Sequence, residues 1–147
     1  AHLSESAARD AANAVLQMMG LDISERAGGQ AEQDQAGLKQ AQLRRVQQHI
    51  LENLHDPALS PASAAAAFRM SRRYLYNLFA LAATTPADFI LSARLERSRD
   101  ALCDATQSVR QIGDIAYRFG FSDAARFSHA FRKRYGASPS EYRRQAR

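Results

Sequence analysis

The sequence holds a single cysteine, Cys103, so no internal disulfide can form. Its four histidines, His2, His49, His55 and His129, are scattered, and no Cys/His cluster has zinc spacing; neither a metal nor any other cofactor is expected. No apolar run approaches the roughly 18 residues that a membrane span requires, and the start lacks the apolar core of an export signal. Membrane insertion and secretion therefore have no support, and a reducing cytoplasm fits the free thiol. No carboxylate pair, Ser/His/Asp array or phosphate loop is visible. The doublet Gly28-Gly29 lacks the rest of a nucleotide motif, so an enzyme is not expected.

Lysine is scarce too. Only Lys39 and Lys133 occur, which leaves 18 of the 20 basic residues as arginine, whose planar fork suits phosphate and guanine better than a flexible ammonium does. The net charge of +5 is unevenly spread. Residues 1–37 hold two basic and six acidic groups, hence −4, so the remainder carries +9. A polyanionic partner fits that remainder, although charge alone fits an ordinary solvated surface equally well.

With 147 residues, 46% of them apolar, the chain can fill one compact core or two very small ones. Ala7, Ala11, Ala14, Val15 and Met18 recur at helical spacing before Gly20, which predicts an amphipathic helix. The glycine-rich, polar stretch at residues 26–37 then reads as a linker, so that the leading helix within residues 1–37 would pack on a preceding domain or on a second copy of itself. The first residue is alanine, which fits a segment of a longer chain and a processed start alike.

Beyond residue 37 every element reads as helix, over residues 38–54, 61–68, 72–81, 86–103, 109–119, 123–135 and 139–145. Ser60-Pro61, Thr85-Pro86 and Ser138-Pro139 each pair an N-cap hydroxyl with a proline in the first turn, and Glu141 completes a capping box with Ser138. Pro57 stops the helix before it. The expected fold is all-α. Cys103 reads as a core thiol, Tyr117, Phe119 and Phe121 as packing groups, and Tyr142 as the anchor of the last helix. Arg94 is expected to pair with an acid such as Asp114.

Residues 115–136, "IAYRFGFSDAARFSHAFRKRYG", halt one helix at a glycine and restart another almost at once. Ala116 can serve as the small contact, Gly120-Phe121-Ser122 as the turn, and Phe127, Ala130 and Phe131 as anchors of a helix-turn-helix. Ile112 and Ile115 would bury the other side of its first helix. Residues 64–79, "AAAAFRMSRRYLYNLF", repeat the plan with Ala65, the turn Arg69-Met70-Ser71, and anchors Leu75, Leu78 and Phe79. Ala65 and Ser71 precede their counterparts by 51 residues, whereas Leu75 and Phe79 do so by 52. The module is duplicated.

With those anchors buried, the first unit turns Arg72, Arg73, Tyr76 and Asn77 outward, and the second Ala125, Arg126, His129, Arg132 and Lys133. Arginine forks onto guanine and asparagine onto adenine in a major groove that admits one helix. Arg132, Lys133 and Arg134, near the helix end, suit phosphates or the negative end of the helix dipole. The alternative for the same basic face is a helical interaction module that docks an acidic protein or membrane surface.

Residues 112–144, "IGDIAYRFGFSDAARFSHAFRKRYGASPSEYRR", resemble the signature of the AraC/XylS family of bacterial transcription regulators, I-x-x-I-A…G-F-S-x…F-S-x-x-F-[KR]-x-x-x-G-x-S-P-x-x-Y-R. "MSRRYLYNLF" and "FILSARLERSRDAL" are similar to that family's first module and connecting helix, so the likeness covers residues 38–147. It implies two homeodomain-like helix-turn-helix subdomains, 38–84 and 106–147, joined by a connecting helix within 85–105. Their readers would be Arg73, Tyr76 and Asn77, then Ala125, Arg126 and His129, set in successive major grooves of a promoter. The implied partners are double-stranded DNA and RNA polymerase, with an effector and a homodimer contact only through a preceding domain. A connecting helix of about 18 residues is roughly 27 Å long, short of the ~34 Å groove repeat, so the duplex is expected to bend. Two departures from the pattern fall in the first unit. Arg69 stands where the turn glycine is usual, and "FALAATTP" lacks both the glycine and one residue of "FRKRYGASP".

Overall fold

The computed structural model describes the backbone of residues 2–147, with side chains at Ala11, Ala12, Ala14, Val15 and from residue 28 onward. The described residues form seven α-helices, one 3-10 turn and no strand. They divide into two compact units, Ala1–Ala41 and Gln42–Arg147.

The N-terminal of these two lies within helix α1 (His2–Glu52) and corrects the expected break: no linker interrupts the helix over residues 26–37. Each glycine there costs roughly 1 kcal/mol relative to alanine. Ala31, Glu32, Gln33, Gln35 and Ala36 favour helix, and the Gln30 amide donates to Asp34 one turn on at 3.2 Å. Of the apolar stripe, Ala7 and Met18 lie outside the described side chains, while Ala11, Ala14 and Val15 are exposed.

Within Gln42–Arg147, Leu43, Val46 and Ile50 on the apolar face of α1, and Leu54 just beyond its end, are buried as their spacing predicts. Helices α2 (Pro61–Ala67), α4 (Pro86–Cys103) and α7 (Pro139–Gln145) start at the three hydroxyl–proline pairs, each hydroxyl accepting a backbone N–H. Ser138 and Glu141 form the expected capping box; Ser60 forms a second one with Ser63. Helix α5 (Ile112–Arg118) begins three residues later than its apolar pattern predicts: a 3-10 turn at Ala105–Gln107, capped by Asp104, runs on into a turn closed by Arg110 N–H to Gln107 O, and Gln111 is extended. Val109 is left 92% exposed.

Two separate cores result. One gathers α1, α2, α3 (Arg72–Ala80) and the start of α4 through Ile50, Ala65, Leu75, Phe79, Ile90 and Ala93. The other gathers the rest of α4 with α5 and α6 (Ala124–Tyr135) through Leu95, Leu102, Ile115, Ala116, Phe127 and Phe131. Tyr142 of α7 packs edge-on against Phe131, ring centroids 5.4 Å apart, and so anchors the last helix as expected. Phe119 and Phe121 pack on the second core, but Tyr117 is 57% exposed rather than a packing group. Cys103 is also exposed, correcting its reading as a core thiol: one residue past the buried Leu102, it falls about 100° round the helix from the packed face.

Candidate nucleic-acid interface

The duplicated turn is the same structure twice. In the first unit Arg69 N–H donates to Ala66 O at 3.1 Å and Met70 N–H to Ala65 O at 3.0 Å; in the second, Gly120 N–H donates to Tyr117 O at 3.1 Å and Phe121 N–H to Ala116 O at 3.0 Å. This is the closing pattern of a helix with one left-handed residue. Gly120 supplies that residue at φ +84°, and Arg69 takes it at φ +53° without the glycine. The correspondence recurs after the second helix of each unit, where Gly136 lies at φ +76° and Ala83 at φ +52°. A side chain forced left-handed costs roughly 1–2 kcal/mol, so the first unit holds strain that the second avoids. The extra residue of the second unit sits at the cap. Ser71 itself accepts from Tyr74 N–H, whereas Asp123, one place beyond Ser122, accepts from Ala125 and Arg126 N–H.

The expected anchors are buried: Ala65, Leu75, Leu78 and Phe79 in one unit, Ala116, Phe127 and Phe131 in the other, with Ala130 partly so. The opposite faces are open. Arg72, Arg73, Tyr76 and Asn77 are exposed on α3, and Ala125, Arg126, His129, Arg132 and Lys133 on α6. These α6 positions form one stripe, each within three or four places of the next across helical turns. Among the described residues the ion pairs are Arg99–Asp100 and Arg134–Glu96, so none of the described acids pairs with Arg72, Arg73, Arg126 or Arg132.

Arg72 and Arg73 occupy the first turn of α3, which contains no acid. Cations there oppose the helix dipole, a placement that disfavours folding slightly and is relieved when an anion arrives. Arg134 departs from its expected place among the phosphate-facing cations: it donates to Ser92 Oγ at 2.9 Å and Glu96 Oε1 at 2.8 Å, tying α6 to α4. Arg94 does not pair with Asp114. Its Nε donates to Leu54 O at 3.2 Å and its Nη2 to Asp56 O at 2.7 Å. Half-burial lowers its pKa, the Asp56 carboxylate opposing the shift. No sequence signal marks backbone carbonyls as partners. The link from Tyr74 Oη to Gln42 Oε1, 2.7 Å, which holds α3 against α1, was equally invisible.

Comparison with known proteins adds lineage to this geometry. The family described as "Helix-turn-helix domain" matches residues 64–145. The transcriptional activator NphR of Rhodococcus is 34% identical over 99% of this chain and 42% of its own length. The XylDLEGF operon transcriptional activator of Pseudomonas putida is 40% identical over 70% of this chain and 32% of its own. The chain thus spans less than half the length of these relatives. Among solved structures, an AraC-type DNA-binding domain-containing transcriptional regulator from Chromobacterium violaceum superposes with a TM-score of 0.65 at 30% identity, covering 76% of this chain and 96% of that one. The DNA-binding domain of AdpA, solved with a target DNA, gives a TM-score of 0.62 at 27% identity over 70% of this chain and 90% of its own. With two like-built helix-turn-helix units on one connecting helix, and these relatives, the chain belongs to the AraC/XylS family of transcription regulators.

Proposed function

We propose that this chain is the DNA-binding segment of a transcriptional activator and sets α3 and α6 into successive major grooves of one promoter site. The observation that carries the reading is the pairing of two open, basic helix faces, each backed by buried apolar anchors and each entered through the same turn. Arg73, Tyr76 and Asn77 read base edges from α3, and Ala125, Arg126 and His129 from α6. Ala125 offers only a methyl, suited to thymine. Arg72, Arg132 and Lys133 hold phosphates and fix the orientation. Helix α4, 18 residues and roughly 27 Å long, is shorter than the groove repeat, so the duplex bends toward the protein.

Residues 1–37 belong to the end of a preceding effector-binding and dimerisation domain, through which a small molecule and a second copy would act. RNA polymerase is the further partner of an activator, and the bacterial nucleoid its place of work.

Replacing Arg126 or Asn77 by alanine is expected to cost about 1–3 kcal/mol on the preferred site and to relax the choice at one base pair. Competition binding against shuffled duplex measures both. Losses equal on every sequence would reduce these residues to phosphate contacts and favour a basic docking face without readout.

A further inference from the structure

Two cores that do not merge need something to set their angle. Helix α4 serves both: Ile90 and Ala93 enter the first core, Leu95, Ala101 and Leu102 the second. Arg94 stands at the changeover, between Ala93 and Leu95. Its half-buried guanidinium leaves the helix for the loop after α1, donating to Leu54 O and Asp56 O. That loop runs directly into α2, and α2 into α3. It is itself tied by Asp56 N–H to Asn53 O at 3.0 Å, Leu59 N–H to Asp56 O at 3.1 Å and Ala58 N–H to the Asp56 carboxylate at 2.9 Å, so a hold on the loop is a hold on the first unit.

The second unit meets the same point. A Cβ built on Gly120 would strike the Leu54 carbonyl and lie 2.7 Å from Arg94 Nη2. The left-handed turn of the second helix-turn-helix is thus laid on the loop of the first, with the guanidinium beside both. Asp123, three residues beyond Gly120, caps α6, and Arg126 follows within its first turn. The cleft next to the guanidinium is lined by Pro57, Leu91, Gly120, Asp123 and Arg126, which brings the junction to the edge of the second reading face.

We propose that Arg94 is a positioning residue that joins the two units at a fixed angle and thereby selects the spacing and phase of the two half-sites the chain accepts. The inference rests on the two-groove reading above. A planar fork that binds two carbonyls at once fixes direction as well as distance, which a lysine ammonium does not. Rigid coupling raises affinity for a correctly spaced pair through effective concentration, and for that pair alone.

The test compares the unaltered chain with Arg94→Ala and Arg94→Lys on a paired site selected from random DNA by the unaltered chain. The same site is also offered with one or two base pairs inserted or removed between its halves, and each half is offered alone. Arg94→Ala is expected to lose about tenfold in affinity at the selected spacing, to change less than about twofold on either half alone, and to lose most of its preference among spacings. Arg94→Lys, which keeps the charge but not the fork, should lie between. Thermal melts accompany each variant; should Arg94→Ala melt below the assay temperature, Arg94→Lys supplies the same comparison. A variant equally weakened on halves and pairs, or one with an unchanged preference among spacings, overturns the proposal. An unaltered chain indifferent to spacing overturns the two-groove reading, and the proposal with it.

Discussion

Gly120→Ala should lower the unfolding free energy by about 2–5 kcal/mol, as the sum of two effects. Alanine at φ +84° costs roughly 1–2 kcal/mol in any surroundings. The new methyl must also displace the Leu54 carbonyl and the Arg94 guanidinium, and overpacking of this kind adds about 1–3 kcal/mol. Gly136→Ala is the control. Its φ of +76° carries the same backbone penalty, yet a Cβ there meets nothing within 4 Å, so about 1–2 kcal/mol is expected. Denaturant titration of both variants separates the terms. Equal midpoints for the two would mean that the second turn does not rest on the loop of the first unit. Ala83, already at φ +52° in the equivalent place of the first unit, illustrates that the chain tolerates the backbone penalty alone.

Affinity for DNA should fall about a thousandfold between roughly 50 and 200 mM salt, a log–log slope near −5. That slope corresponds to about six neutralised phosphates, in keeping with the outward cations Arg72, Arg132 and Lys133 together with flanking arginines and helix N-termini. Lys133→Ala should reduce the slope by about one and weaken every sequence alike. Arg134→Ala should leave the slope unchanged, since that side chain is held by Ser92 and Glu96 rather than offered to a phosphate. Fluorescence titrations over a salt series give all three values. A slope shallower than about −2 would contradict a footprint of this size.

What could be read from the residues was what local chemistry decides. A hydroxyl before proline starts a helix wherever it stands, and the starts at Pro61, Pro86 and Pro139 needed no partner to be recognised. The repeat of Ala65 and Phe79 in Ala116 and Phe131 was legible because each position buries the same face of the same motif. The left-handed backbone at Arg69 and Ala83 was hidden, because in the second unit glycine marks those positions and here it does not. The partners of Arg94 are not legible in the sequence, because the Leu54 and Asp56 carbonyls it binds lie about 40 residues away and every residue carries a carbonyl. Cys103 followed its apolar neighbours in sequence, but α4 buries a different arc at each end and leaves the thiol outside. At residues 26–37 the glycines point to a linker, whereas Glu32 with the alanines and glutamines between them suffices for helix.

Selection of bound duplexes from a random pool tests the central claim most directly. Two half-sites should be enriched together, their centres about 10–10.5 base pairs apart on one face of the duplex, with the second losing definition at one base pair when Arg126 is replaced by alanine. A pool that yields no motif, or a single half-site without a partner, would contradict a chain that reads DNA with two helices at once.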